Sequence, residues 1–157
     1  MTKTRTWEVG FTISELLVVM AIAIILWTLA TMIFIRPQER VNLDLVVTTL
    51  AADIKAQQTK AMTGDGGSNY GIHFEVHRYI LFTGTTYNST DPNNFVVKVD
   101  SPVQVINITL TSSDLIFQKG SGETDISTGH DGLTIQNSSG GSSKAFVINK
   151  YGSIQEI

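Results

Sequence analysis

The chain has 157 residues, a formal net charge of -3 and no cysteine. That length leaves room for one membrane span and one modest domain. The absence of cysteine excludes a disulfide framework and a thiolate metal site, and the charge excludes a strongly basic chain.

The first predicted element starts at Gly10-Phe11-Thr12-Ile13-Ser14-Glu15 and continues through the apolar run Leu16 to Ile35. About 20 apolar or weakly polar residues make a helix that crosses the roughly 30 Å hydrocarbon core of a bilayer. Glu15 sits at its edge, where an ionisable side chain facing lipid costs about a few kcal/mol and calls for a cationic partner. The same residues also fit a capping box, with Thr12 accepting from the Glu15 amide and the Glu15 carboxylate accepting from the Thr12 amide. Lys3 and Arg5 precede the run, which predicts a cytoplasmic N-terminus and a head on the far side of the membrane. The run is longer than a secretory core and ends at Arg36-Pro37-Gln38 without a small-x-small cleavage site.

Gly10-Phe11-Thr12-Ile13-Ser14-Glu15-Leu16-Leu17-Val18-Val19, behind a basic leader, resembles the class III signal of type IV pilins and type II secretion pseudopilins. The resemblance implies that a prepilin peptidase cuts between Gly10 and Phe11 and methylates the new Phe11 amine. It implies too that Glu15 meets the Phe11 amine of a neighbouring subunit during assembly. Elementary electrostatics agrees, because an α-ammonium is protonated near neutral pH and pairing it with Glu15 relieves two isolated charges in a dry interface. Within the whole motif the pairing takes precedence over the capping box. Loss of the leader removes Lys3, Arg5 and Glu8, two cations and one anion, and takes the charge from -3 to -4.

Further implied partners are other pilin or pseudopilin subunits, the inner-membrane assembly platform and the membrane itself. The implied location is a single-pass position in the inner membrane, head outside the cytoplasm, and then a pilus or pseudopilus. No cofactor is implied.

Residues 36–63 are predicted to continue as an amphipathic helix, with Leu43, Val46, Val47, Leu50, Ile54, Gln57 and Ala61 at a three-to-four spacing. Pro37 removes an amide donor and predicts a bend or a short break. The glycine-rich segment from Thr63 to Asn69 stops the helix. Strands are expected at Tyr70–Val76 and Arg78–Thr83, joined by a tight turn near His77, then at Phe95–Val99, Val103–Leu110, Leu115–Gln118, Leu133–Gln136, Ala145–Asn149 and Ile154–Ile157. Polar loops separate them at 84–94, 119–123 and 138–143.

The order gives an α+β fold, a long N-terminal helix packed on an antiparallel β head. Its expected parts are a leader (1–10), a span (11–35), an amphipathic helix half (36–63) and a β-rich head (64–157). Ile116-Phe117-Gln118-Lys119-Gly120, followed by Phe146 to Ile154 with Gly152, resembles the paired glycine patterns of the GspH/FimT minor pilins. The chain departs from many members of the wider family in carrying Ile24 and Met32 where a glycine and a proline often interrupt the span, and in lacking the paired head cysteines.

No catalytic residue or metal site emerges from the remaining chemistry, and the chain is not expected to be an enzyme. His73 and His77 lie four residues apart in extended chain, about 13 Å, too far to share one ion. His130-Asp131 has no matching nucleophile turn. Asn88, Asp91, Asn93 and Asn94 offer oxygens that calcium accepts, but their spacing is that of Asx-rich turns. The sequons at Asn88, Asn107 and Asn137 are read as chance. Lys144 and Lys150 are the candidate contacts for nucleic acid, because some FimT-like minor pilins bind DNA through C-terminal basic residues. A DNA-binding tip subunit and a signal-anchored enzyme are the rival readings to a structural subunit.

Overall fold

The computed structural model describes residues 10, 12–127, 131–139 and 141–157, with the backbone alone described over 31–41. The chain divides into two compact units, one ending at Pro37 and the other spanning Gln38–Ile157. Helix α1, Ile13–Thr63, contributes to both. Its backbone assignment continues through Pro37, so the short break allowed for that residue does not occur. Proline deletes one amide donor, and the bonds on either side can carry the ladder past it.

In the first unit, Ile13–Ala30 is an 18-residue stretch of mean hydropathy 2.4 with none of it buried. Ile13 and Trp27 are 83% and 75% exposed. An apolar surface of that extent is expelled from water, which makes it a membrane or protein contact.

The second unit is built around the other half of α1. Leu43, Leu50, Ile54, Gln57, Gln58 and Ala61 are buried along one side, while Asp44, Lys55 and Lys60 face out. Gly64, at φ 69°, takes the left-handed conformation that ends the helix after Thr63. The strands that follow are β1 (Tyr70–Glu75), β2 (Arg78–Thr83), β3 (Phe95–Lys98), β4 (Val103–Ile106), β5 (Asp114–Phe117), β6 (Gly132–Asn137), β7 (Ser143–Ile148) and β8 (Ile154–Glu156). They form two four-stranded sheets, ordered β3-β2-β1-β5 and β4-β6-β7-β8, with every recorded pairing antiparallel.

In the first sheet Tyr70, Ile72 and Phe74 alternate with Gly71, His73 and Glu75, as half-buried strands require. The register places Ile72 opposite Leu81 and Leu115, and Phe74 opposite Tyr79, so these side chains share one face. In the second sheet Val103, Val105, Leu133, Ile135, Phe146 and Ile148 do the same. Both faces join the helix residues in one apolar cluster.

The other face of the first sheet carries a smaller cluster. Ile80 and Phe82 are almost fully buried there, and Tyr87 folds back over Phe82 and His73. Its ring stacks on His73 at 4.0 Å and tilts against Phe82 at 5.7 Å. The loop read as exposed polar chain is therefore tethered by one aromatic side chain.

One predicted strand is shorter than its sequence suggests. Val103–Leu110 reads as a continuous β run, but pairing stops at Ile106 because Asn107 turns to φ 49°. Leu110 is buried all the same, ahead of a short 3-10 turn at Thr111–Ser113.

Candidate assembly site

At the N-terminal motif, the Thr12 hydroxyl accepts the Glu15 amide at 3.3 Å and its carbonyl accepts the Glu15 and Leu16 amides at 3.1 Å. That satisfies the Glu15 amide, one of the free donors at a helix start, and the Leu16 bond opens the helical ladder. The reciprocal half of the capping box is missing. The Glu15 side chain is exposed and its carboxylate has no partner among the described residues. Thr12 caps this helix by itself, and a charge remains at the start of an apolar helix. Gly10 is exposed, with nothing within 4 Å of an added Cβ, while Phe11 and residues 1–9 lie outside the described residues, as do the side chains of Met32 and Pro37.

In the head, the two glycine-bearing loops singled out in the sequence converge on the last turns of α1. The Gly120 amide donates to the Ala61 carbonyl at 2.8 Å. The buried Gln58 side chain donates through Nε2 to the carbonyls of Gly122 (3.1 Å) and Tyr151 (2.6 Å), and its Oε1 accepts Lys55 Nζ at 2.9 Å. The loops also hold each other, with Thr124 donating from its amide to the Lys150 carbonyl at 2.8 Å and from its hydroxyl to the Asn149 carbonyl at 3.1 Å. Gly152 has φ 71°, and a Cβ there would lie 2.5 Å from Gln58 Nε2 and 2.8 Å from the Phe117 ring. Glycine is required for both conformation and space. Gln58 was not legible as the clamp, since its apolar neighbours give the helical period and a glutamine beside Gln57 carries no signal of its own.

A search of protein-family profiles and of curated proteins finds no match. Among solved structures, the chain is similar to the minor pseudopilin EpsH from the Type 2 Secretion System of Vibrio cholerae, with TM-score 0.49 and 11% identity. The alignment covers 74% of this chain and 96% of that one. At that level the likeness by itself decides neither family nor function.

The candidate nucleic-acid lysines are both engaged by carboxylates. Lys144 Nζ lies 3.1 Å from Asp44 and 3.4 Å from Glu156, and the hydrogen bond to Asp44 is the main reason its pKa is raised. Lys150 Nζ lies 3.9 Å from Glu123 and 5.8 Å from the centre of the Tyr151 ring. Lys144 lies in β7 and Lys150 in the turn beyond it, and each is held by a different carboxylate.

His73 is held at 2.6 Å from Asp114 across β1 and β5, away from His77, which lies in the turn after β1. His130 lies outside the described residues. In the Asx loop, Asp91 Oδ1 accepts both the Asn93 amide and its side-chain NH2 at 2.9 Å, and Asn88 Oδ1 accepts Thr90. Asp91 Oδ1 and Asn88 Oδ1 thus close the turns of this loop. The sequon asparagine Asn137 is fully buried.

Proposed function

We propose that this chain is a minor pilin or pseudopilin, a structural subunit of a type IV pilus or type II secretion pseudopilus. It is made with a leader, cut after Gly10 and methylated on Phe11. The observation that carries the reading is the Glu15 carboxylate, without a partner among the described residues, at the start of an apolar stretch, Ile13–Ala30, of which none is buried. A lone carboxylate beside lipid is costly unless a cation arrives, and the amine made by cutting before Phe11 is one, at the same membrane depth on a neighbouring copy. The span anchors the subunit first and then exchanges lipid contact for packing against other subunit helices.

Two measurements test the proposal. Intact mass of the protein extracted from cells with an active prepilin peptidase gives a chain starting at Phe11 and carrying one methyl group; a chain starting at Met1 refutes the reading. Glu15→Ala leaves membrane insertion unchanged and abolishes incorporation into the fibre, as judged by sheared-filament fractions. Incorporation at the normal level would refute the pairing of Glu15 with the Phe11 amine.

A further inference from the structure

We propose, on the fibre-subunit reading above, that Thr12 is a positioning residue for removal of the leader. Its cap starts the helix at Ile13 and so keeps the carbonyl of the bond to be cut, that of Gly10, out of the helical ladder. Residues 1–9 precede Gly10 in this chain, so the geometry there is that of the uncut form. Gly10 lies outside the helix, exposed and in open space. Among the described residues no backbone amide donates to its carbonyl, and the Ser14 amide, four residues on, has no acceptor. Thr12 is itself outside the helix. Its hydroxyl accepts the Glu15 amide at 3.3 Å and shares a 3.1 Å hydrogen bond with the Ser14 hydroxyl, while its carbonyl takes the Leu16 amide as the first bond of the ladder.

The competing arrangement starts the helix two residues earlier. Glycine caps a helix about as well as threonine does, so without a capping side chain at position 12 the cap passes to Gly10 and the helix begins at Phe11. The Ser14 amide then bonds the carbonyl four residues back, which is that of Gly10.

That carbonyl is the reacting group. Cutting adds water to its carbon and breaks the C–N bond to Phe11; Gly10 keeps the carboxyl and Phe11 leaves with the amine. The oxygen carries the charge that develops during addition and must be free to meet the peptidase's own donors. A carbonyl held in a helix has first to be pulled out of the ladder, whereas one in exposed irregular chain is presented ready to cut.

Cutting of the full chain by a prepilin peptidase in membranes tests this, with intact mass reporting the change from a Met1 to a Phe11 start and the rate taken per inserted precursor. Thr12→Ala, which cannot cap, is cut about fivefold more slowly than the parent, equivalent to roughly 1 kcal/mol, the worth of one N-cap. Thr12→Ser and Thr12→Asn, which cap with side chains of other shapes, stay within about twofold of the parent rate. In the uncut chain in detergent, without peptidase, hydrogen exchange at the Ser14 amide slows about fivefold in Thr12→Ala, because that amide has found the Gly10 carbonyl. Thr12→Ala cut at the parent rate shows that the cap does nothing for cutting and overturns the inference. Thr12→Asn as slow as Thr12→Ala also overturns it, because the peptidase then reads the threonine side chain directly, and so does unchanged exchange at Ser14. In each of these cases the parent chain starts at Phe11 and the subunit reading stands. A parent chain that stays at Met1 overturns both.

Discussion

Tyr79 shows how a residue in the head can be read from its partners. It is 1% exposed and its hydroxyl donates to Asp53 Oδ2 at 2.6 Å. Burial, then the bond to Asp53 and its negative charge, push the phenol well above its ordinary value. Below about pH 10 the phenol keeps its proton in folded and unfolded chains alike. Above that only the folded chain holds it, so stability falls as pH rises, by about 1.4 kcal/mol per pH unit for this one group. Urea midpoints between pH 9 and pH 11 are expected to fall less steeply in Tyr79→Phe than in the parent chain. At neutral pH the variant loses about 1–3 kcal/mol, because the Asp53 carboxylate keeps its place without its donor. Glu75 titrates in the opposite sense. The bidentate bond from Arg78, at 2.7 and 3.0 Å, holds its carboxyl below the ordinary range, so its contribution is present above that range and is lost as pH falls through the folded value. Both partners are well exposed, so that contribution is small.

Among the elements, the meeting of α1 with the loops at 119–124 and 149–153 fixes where the helix ends against the head. Gln58 reaches both loops at once, and the backbone comes this close because glycine stands at 122 and 152. Gly152→Ala is expected to cost about 3 kcal/mol in urea unfolding, from strained backbone and overpacking together. Gly141→Ala is the control, since Gly141 has a similar φ of 66° with nothing within 4 Å of the added Cβ. It should cost about 1 kcal/mol, the conformational part alone. Equal losses at the two sites would show that the contact with Gln58 carries no energy. The loop at 84–94 is a contrast, since it is tied to its sheet through Tyr87 and closes on itself through its Asx turns.

For the whole molecule, the division at Pro37 separates a unit whose apolar residues are bare from one that has an apolar core of its own. Residues 38–157 expressed alone are expected to stay soluble without detergent and to keep the alkaline transition of Tyr79. The full chain should require detergent or membrane. Sedimentation and pH-dependent unfolding of the two forms check this, and an aggregating, unfolded 38–157 would show that the head depends on the first helix half.

Local pattern was enough to establish the bare apolar helix, the buried period from Leu43 to Ala61, the stop at Gly64 and most strand positions, because each follows from side-chain periodicity or one backbone conformation within a few residues. The motif from Gly10 to Glu15 was legible in the same way, as adjacent residues with a common chemistry. Strand order, the division into two sheets, the cover that Tyr87 gives to His73 and Phe82, the pairing of Lys144 with Asp44, and the reach of Gln58 to Gly122 and Tyr151 were decided only by tertiary structure. These contacts join residues tens of positions apart. Nothing in the pattern of one strand names its neighbour, so which edges are left free could be seen only once the chain had folded.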